Sequence, residues 1–185
     1  MRVSEDSRTV TKVLNGDVNA YALLVKKYQK PIYNLMYRAT GSKEISMDLS
    51  QTTMIKAYEN LERFDQNRKY FPWLYAIGAN LAKDHLRRTN REKRYFDSKY
   101  DEDNTIDTNT DTMARIEHKT KKSYVLEAMK NLPLSQREAI ILRFQKELSM
   151  REIAESLSIS VSGAKMRIHR AIKELRRILQ KTDIY

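Results

Sequence analysis

Lys165, Arg167 and Arg170 stand two or three residues apart in a run that also carries Ser162, Met166, His169, Lys173, Arg176 and Arg177. Cations at this density bind polyanions. Lys and Arg can take phosphate oxygens or the O6 and N7 atoms of guanine in the major groove. Ser162 and Gly163 are small and would let a helix start approach a surface closely. A second set, Asn80, Lys83, Arg87, Arg91 and Arg94, recurs every three or four residues, with Arg88 and Lys93 beside it. Phe64, Tyr70, Phe71 and Trp73 come just before it. Rings followed by cations suit single-stranded nucleic acid, because bases stack on the rings while cations track the backbone. The alternative is a solvated charged face with Phe71 and Trp73 in a core, and for the rings that reading is preferred. His85, His118 and His169 are scattered, with no paired nucleophile and no metal-ligand spacing. No catalytic residue, metal site or cofactor is expected.

The elements that must hold these residues are helices. Ser149 and Glu152 form the Ser-x-x-Glu pattern of a capping box. Ile153, Ala154 and Leu157 then share a face. Ser158-Ile159-Ser160 is a turn, and Ser160 suits the N-cap of a second helix. There Val161, Ala164, Ile168, Ala171, Ile172, Leu175 and Leu179 form an inward stripe. A capped helix, a three-residue turn and a basic second helix make a helix-turn-helix, whose second helix enters the major groove of duplex DNA. Upstream, Tyr124, Val125, Ala128, Met129 and Leu132 mark one helix, stopped by Pro133. Ser135 and Glu138 repeat the capping-box pattern before Ala139, Ile140, Leu142 and Phe144.

In the first half a helix ends near Asn15-Gly16, and Asp17 caps the next, with Tyr21, Leu24, Val25 and Tyr28 on one face. Pro31 starts or kinks a continuation through Ile32, Leu35, Met36 and Ala39, which Thr40-Gly41-Ser42 breaks. A third helix is expected from about Ile45 to Leu61, with Leu49, Met54, Ile55 and Tyr58 as apolar positions. After a polar 64–70 loop, Pro72 suits the first residue of a fourth helix, with Trp73, Leu74, Ile77, Leu81 and Leu86 apolar.

The chain has 185 residues and a formal net charge of +11. That favours nucleic acid or an anionic surface as partner. With no Cys, disulfides and thiolate zinc sites are excluded. No apolar run approaches the roughly 20 residues of a membrane span, and the N-terminus lacks the apolar core of a signal peptide. A cytoplasmic protein is expected. Four Gly and three Pro, amid many Leu, Ile, Ala, Lys, Arg and Glu, favour an all-α fold. Three parts separate by charge: 1–96, 97–118 and 119–185. The middle part holds seven acids against two Lys/Arg and many turn formers, which reads as a flexible acidic linker. Ile106 and Thr112 stand where a calcium loop needs Gly and Glu, so calcium binding is not expected.

The two halves together resemble the extracytoplasmic-function sigma factors of bacterial RNA polymerase. In the first half the resemblance rests on Gly16-Asp17 and the runs 21–29, 48–58 and 71–88. In the second it rests on Leu132-Pro133, the 136–143 run and the helix-turn-helix. It departs from the family pattern at Thr52 (often acidic), Met54 (often aromatic), Tyr58 (often Trp), Ser158 (usually Gly) and Met166 (often Ser). The resemblance implies two small helical domains, sigma region 2 and sigma region 4, joined by the linker. Asp48, Leu49, Gln51, Thr52 and Ile55 would meet the clamp of the polymerase β′ subunit. Phe64, Tyr70, Asn80, Lys83, Asp84 and Arg87 would read and open the −10 element. Ser162, Lys165, Met166, Arg167 and Arg170 would face the −35 element, and the apolar side of that domain would meet the β flap. The implied partners are core RNA polymerase and promoter DNA, with an anti-sigma factor or other recruiting protein left open.

A linker of about 22 residues extends to roughly 70 Å at ~3.3 Å per residue, about two turns of DNA at ~34–36 Å each. Its acidity suits either a spacer or a nucleic-acid mimic. Two other classes remain at this point. A free-standing helix-turn-helix regulator would bind operator DNA alone, but the first half carries its own basic helix and no dimerisation heptad. A DNA-acting enzyme would need a nucleophile and acid cluster that the sequence does not offer.

Overall fold

The computed structural model describes residues 4–97 and 121–180. The described residues form helices and no strand. The first half holds α1 (Glu5–Leu14), α2 (Tyr21–Thr40), α3 (Lys43–Glu59) and α4 (Tyr70–Asp97), and the second holds α5 (Lys121–Lys130), α6 (Leu134–Ile140), α7 (Met150–Ser156) and α8 (Val161–Gln180). The acidic segment expected at 97–118 lies outside the described residues, apart from Asp97 at the end of α4.

Local chemistry sets most boundaries. Ser4 accepts from the Ser7 amide at the start of α1, and Gly16 follows α1 at φ +100°. Asp17 accepts from the Ala20 amide and caps a single 3-10 turn, Val18–Ala20, that leads into α2. Pro31 lies inside one continuous α2 rather than starting a helix. Gly41 ends α2 at φ +69°, and Ser42 caps α3 through the Ile45 amide. α3 therefore begins two residues earlier than the sequence suggests, and a 3-10 turn at Leu61–Arg63 closes its end. α4 begins at Tyr70, so Pro72 sits in its first turn, where an amide has no intrahelical partner to lose.

α2, α3 and α4 pack around Leu24, Ile32, Leu35, Met36, Ala57, Leu61 and Leu74, all nearly inaccessible. The contact of α4 with its neighbours is close at Gly78. A Cβ there would lie 3.3 Å from Met36 Cε and Thr53 Cγ2. Gly78→Val is expected to lower stability by about 1–3 kcal/mol through overpacking, read as a shift in the urea midpoint with an unchanged slope.

α3 is built inside out. Its buried face is Ser46, Ser50, Thr53, Met54 and Ala57, while Ile45, Met47, Ile55 and Tyr58 face solvent. The buried hydroxyls are satisfied within the helix: Ser50 Oγ donates to the Met47 carbonyl at 2.8 Å and Thr53 Oγ1 to the Leu49 carbonyl at 2.7 Å. Small residues let α3 lie close to α2 and α4, and leave Ile45, Met47, Ile55 and Tyr58 unburied. Ile55 and Tyr58 are thus not core positions.

In the second half α6 runs into a π turn, Ile141–Gln145, closed by the Lys146 amide on the Ile141 carbonyl at 3.1 Å. The Ser135–Glu138 capping box is not formed. α6 starts at Leu134, the Gln136 and Arg137 amides bond to the Pro133 carbonyl, and Ser135 is exposed. The Ser149–Glu152 box is formed in both directions, at 3.3 and 2.7 Å. The turn between α7 and α8 passes through Ser158 at φ +52°, a left-handed conformation that non-glycine residues adopt only rarely. α8 buries Ala164, Ile168 and Ala171. Val161, expected to face inward, is 41% exposed at the helix start.

Candidate functional site

Three surfaces carry the candidate residues. The first is the outer face of α8. Ser160 accepts from the Gly163 amide at 3.0 Å and fixes the helix start. Ser162, Lys165, Met166 and Arg170 are exposed beside one another, and Arg167 is half-buried on the flank. Ser162 Oγ lies 3.0 Å from Ser160 Oγ, so its hydroxyl is shared with the cap. The structure brings these five residues to the first three turns of one helix.

The second surface lies along α4 and the loop before it. Asn80, Lys83, Asp84 and Arg87 are exposed, and Arg87 lies 4.0 Å from Asp84. At their foot is a cleft of about 350 Å³ lined by Lys56, Asn60, Arg63, Trp73, Ile77, Asn80, Leu81 and Asp84. An indole wall with amide, carboxylate and cationic groups is chemistry that can hold one planar polar ring. Lys56, Asn60 and Arg63 were not legible as site residues, because alone they look like solvated positions near the end of a helix. Phe64 and Tyr70, expected among the strand-reading residues, are buried at 5% and 1% exposure. They pack against Trp73 with ring centroids 5.2 and 5.5 Å away. Buried rings cannot stack on bases, so these two position the loop instead.

That loop, 65–69, is tied down from both sides. Asp65 Oδ1 accepts from the Asn67 amide at 3.0 Å, and this bond, with Arg68 nearby, holds the Asp65 carboxyl below its usual range. From α1, Ser7 Oγ donates to the Gln66 carbonyl at 2.9 Å and Thr11 Oγ1 to Gln66 Oε1 at 2.8 Å. α1 is itself pinned to α2 by Asp6, which meets Lys27 Nζ at 2.6 Å and accepts from the Tyr28 hydroxyl at 2.5 Å.

The third surface is a groove of about 1170 Å³ between α2 and α3. Gln51 and Ile55 line it, with Met47, Met54 and Tyr58. Tyr21 crosses the floor, donating to the Met54 carbonyl at 2.7 Å and meeting the Tyr58 ring edge-on at 5.1 Å. Asp48 is exposed and Thr52 half-buried on the adjoining stripe of α3, while Leu49 packs against the core. Thus two of the five clamp candidates enter the groove. Met47 and Tyr58 of α3, with Val18, Val25 and Tyr33 from the opposite wall, add to its apolar lining. Among the described residues no cluster of His, Asp and Glu could hold a metal ion, and no helix is long and apolar enough to cross a membrane.

Comparison with known proteins covers both halves. Residues 24–92 match the family model for sigma-70 region 2, and residues 122–175 match that for sigma-70, region 4. The ECF RNA polymerase sigma factor SigW of Bacillus subtilis is 32% identical over 180 residues, spanning 94% of this chain and 96% of that one. The RNA polymerase sigma-H factor of Pseudomonas aeruginosa is 31% identical over 185 residues, spanning 95% and 94%. Among solved structures, CnrH in complex with the cytosolic domain of CnrY superposes with a TM-score of 0.67 at 23% identity, over 96% of this chain and 99% of that one, a likeness of fold.

Proposed function

This chain belongs to the extracytoplasmic-function family of RNA polymerase sigma factors, and we propose that its three surfaces divide the work of promoter-specific initiation. It binds core polymerase, recognises the −35 and −10 elements and supports opening of the promoter, acting in the cytoplasm and without catalysis of its own. We assign 1–96 to region 2, 97–118 to a linker and 119–185 to region 4.

In this division the outer face of α8 reads −35 duplex through Ser162, Lys165, Met166, Arg167 and Arg170. Phosphate contacts from such a basic chain dominate affinity and make it fall with salt. Asn80, Lys83, Asp84 and Arg87 meet the −10 strand, and the cleft beside Trp73 takes one unpaired base. Asp48, Gln51, Thr52 and Ile55 meet the β′ clamp, with Leu49 holding α3 in place from the core side. Val125, Leu126 and Phe144, exposed on the second half, are the apolar groups offered to the β flap. The α2–α3 groove also suits an amphipathic segment of an anti-sigma factor.

The observation that carries the reading is the inside-out α3. A regulator that binds operator DNA alone has no use for a large apolar groove beside a strand-reading cleft. The test is transcription from promoter templates by core polymerase with the purified chain. Promoter-specific transcripts are expected only when the chain is added. Asn80→Ala and Lys83→Ala are expected to reduce permanganate reactivity of −10 thymines about tenfold or more while leaving −35 duplex affinity unchanged, on the scale of about 1–3 kcal/mol for a lost base-edge contact. Specific DNA binding without any transcript would sink the proposal.

A further inference from the structure

One side chain on the outer face of α8 has the wrong chemistry for a phosphate. Met166 is 50% exposed. The buried stripe of α8 is Ala164, Ile168 and Ala171. At about 100° per residue, Met166 lies roughly 140–160° from each of the three, so it points away from the protein. Val161, which is 41% exposed, lies on the side of Ala164 and Ile168 and is uncovered because the helix begins there. Among the described residues Met166 is thus the one exposed large apolar group on the outer face of α8. Long side chains on a helix lean toward its N-terminus. Met166 therefore covers the turn that holds Ser162, a small residue whose hydroxyl lies 3.0 Å from Ser160 Oγ. Lys165 and Arg170, both exposed, flank it. The acids of α7 are engaged elsewhere: Glu152 meets Lys69 Nζ at 2.8 Å and Glu155 meets Arg68 at 3.4 Å. They do not neutralise this face, so the charges beside Met166 carry an apolar tip into whatever groove the helix enters.

The chemistry of that tip selects its contact. A thioether donates no hydrogen bond and accepts only weakly. Set against the N7, O6 or amino groups of a base edge, it would strip water from a polar atom and return no partner. The major groove offers one apolar group, the 5-methyl of thymine. Methionine is unbranched and polarizable, and fills such a contact without a fixed shape of its own.

We propose that Met166 is a specificity-determining residue: it reads the 5-methyl group of one thymine in the −35 element, between the phosphate or guanine contacts of Lys165 and Arg170. The proposal rests on the reading of α8 as the −35 helix. It adds to that reading a base that the promoters of this chain carry.

The full chain with core polymerase is used to select duplexes from a pool randomised over about ten base pairs, one helical turn, and duplexes that core polymerase selects alone are discarded. The selected site is expected to require an A·T pair. Replacing its thymines one at a time by deoxyuridine removes a methyl group and nothing else. At one position the parent should lose affinity about three- to fivefold, the scale of one buried carbon, and Met166→Ala should lose nothing further there. Met166→Leu should keep the sensitivity, and Met166→Gln, of similar length but polar, should lose it. All three variants change an exposed side chain and should melt with the parent. The slope of affinity against salt should be the same for Met166→Ala as for the parent, because no phosphate contact is removed. A selected site without a required A·T pair, a parent indifferent to every deoxyuridine, or a sensitivity that survives in Met166→Ala would overturn the assignment. A pool from which the parent selects no duplex at all defeats the reading of α8 itself, and the thymine assignment with it.

Discussion

Ile55→Glu is expected to abolish promoter-specific transcription and to weaken binding to core polymerase at least about 100-fold. Ile55 is 58% exposed and lines the α2–α3 groove. Docking a partner there removes the surface from water, and a glutamate in its place must be desolvated without a counter-charge. Central, well-packed anchors contribute about 2 kcal/mol or more each, and burying an unpaired charge adds several more. The fold should hardly respond, because an exposed substitution away from caps and core lies within about 0.5 kcal/mol. Co-elution with core polymerase and a thermal melt separate the two effects. A variant that co-elutes like the parent would show that the groove is not the polymerase contact.

The second large effect is expected on α8. Lys165→Ala and Arg170→Ala should each weaken −35 duplex binding about tenfold or more, in line with about 1–3 kcal/mol for a good base-edge contact. The two kinds of contact differ in their salt response. Removal of a phosphate contact lowers affinity alike on all sequences and reduces the salt slope by about one, whereas removal of a base contact relaxes specificity at one position. Titrations at several salt concentrations, on the preferred element and on single-base variants of it, assign each residue. If both variants bind −35 duplex like the parent while the melt is unchanged, α8 is not the reading helix.

The helix-turn-helix was legible because its determinants are local. Ser149 and Glu152 cap one helix, Ser160 caps the next, and the buried positions Ala164, Ile168 and Ala171 follow helical period. Where a residue's partner is distant in sequence, the same patterns mislead. Ser135 and Glu138 have the spacing of Ser149 and Glu152, yet the upstream turn at Pro133 starts the helix too early for Ser135 to cap it, and Glu138 turns to Arg38 one hundred residues away in sequence. In α3 the apolar residues are regular enough to suggest a core face, but Ser46, Ser50, Thr53 and Ala57 face inward. Periodicity gives a stripe and not what covers it. Phe64 and Tyr70 look like stacking rings in sequence, and the Trp73 packing that buries them is visible only once α4 and the loop are folded together.

The π turn at Ile141–Gln145 sets a phase between two contact sets. Glu138 lies before it, and Glu152 and Glu155 lie after it. A single-residue deletion in that turn would return the backbone to an α register and rotate everything downstream by about 100°, one residue's advance at 3.6 residues per turn. With Glu138 held on Arg38, α7 would then point its carboxylates away from Arg68 and Lys69. The indel tolerance of this short stretch is therefore a measure of how tightly the two halves are indexed to each other, as a gear with one extra tooth fixes the timing of the wheel it drives.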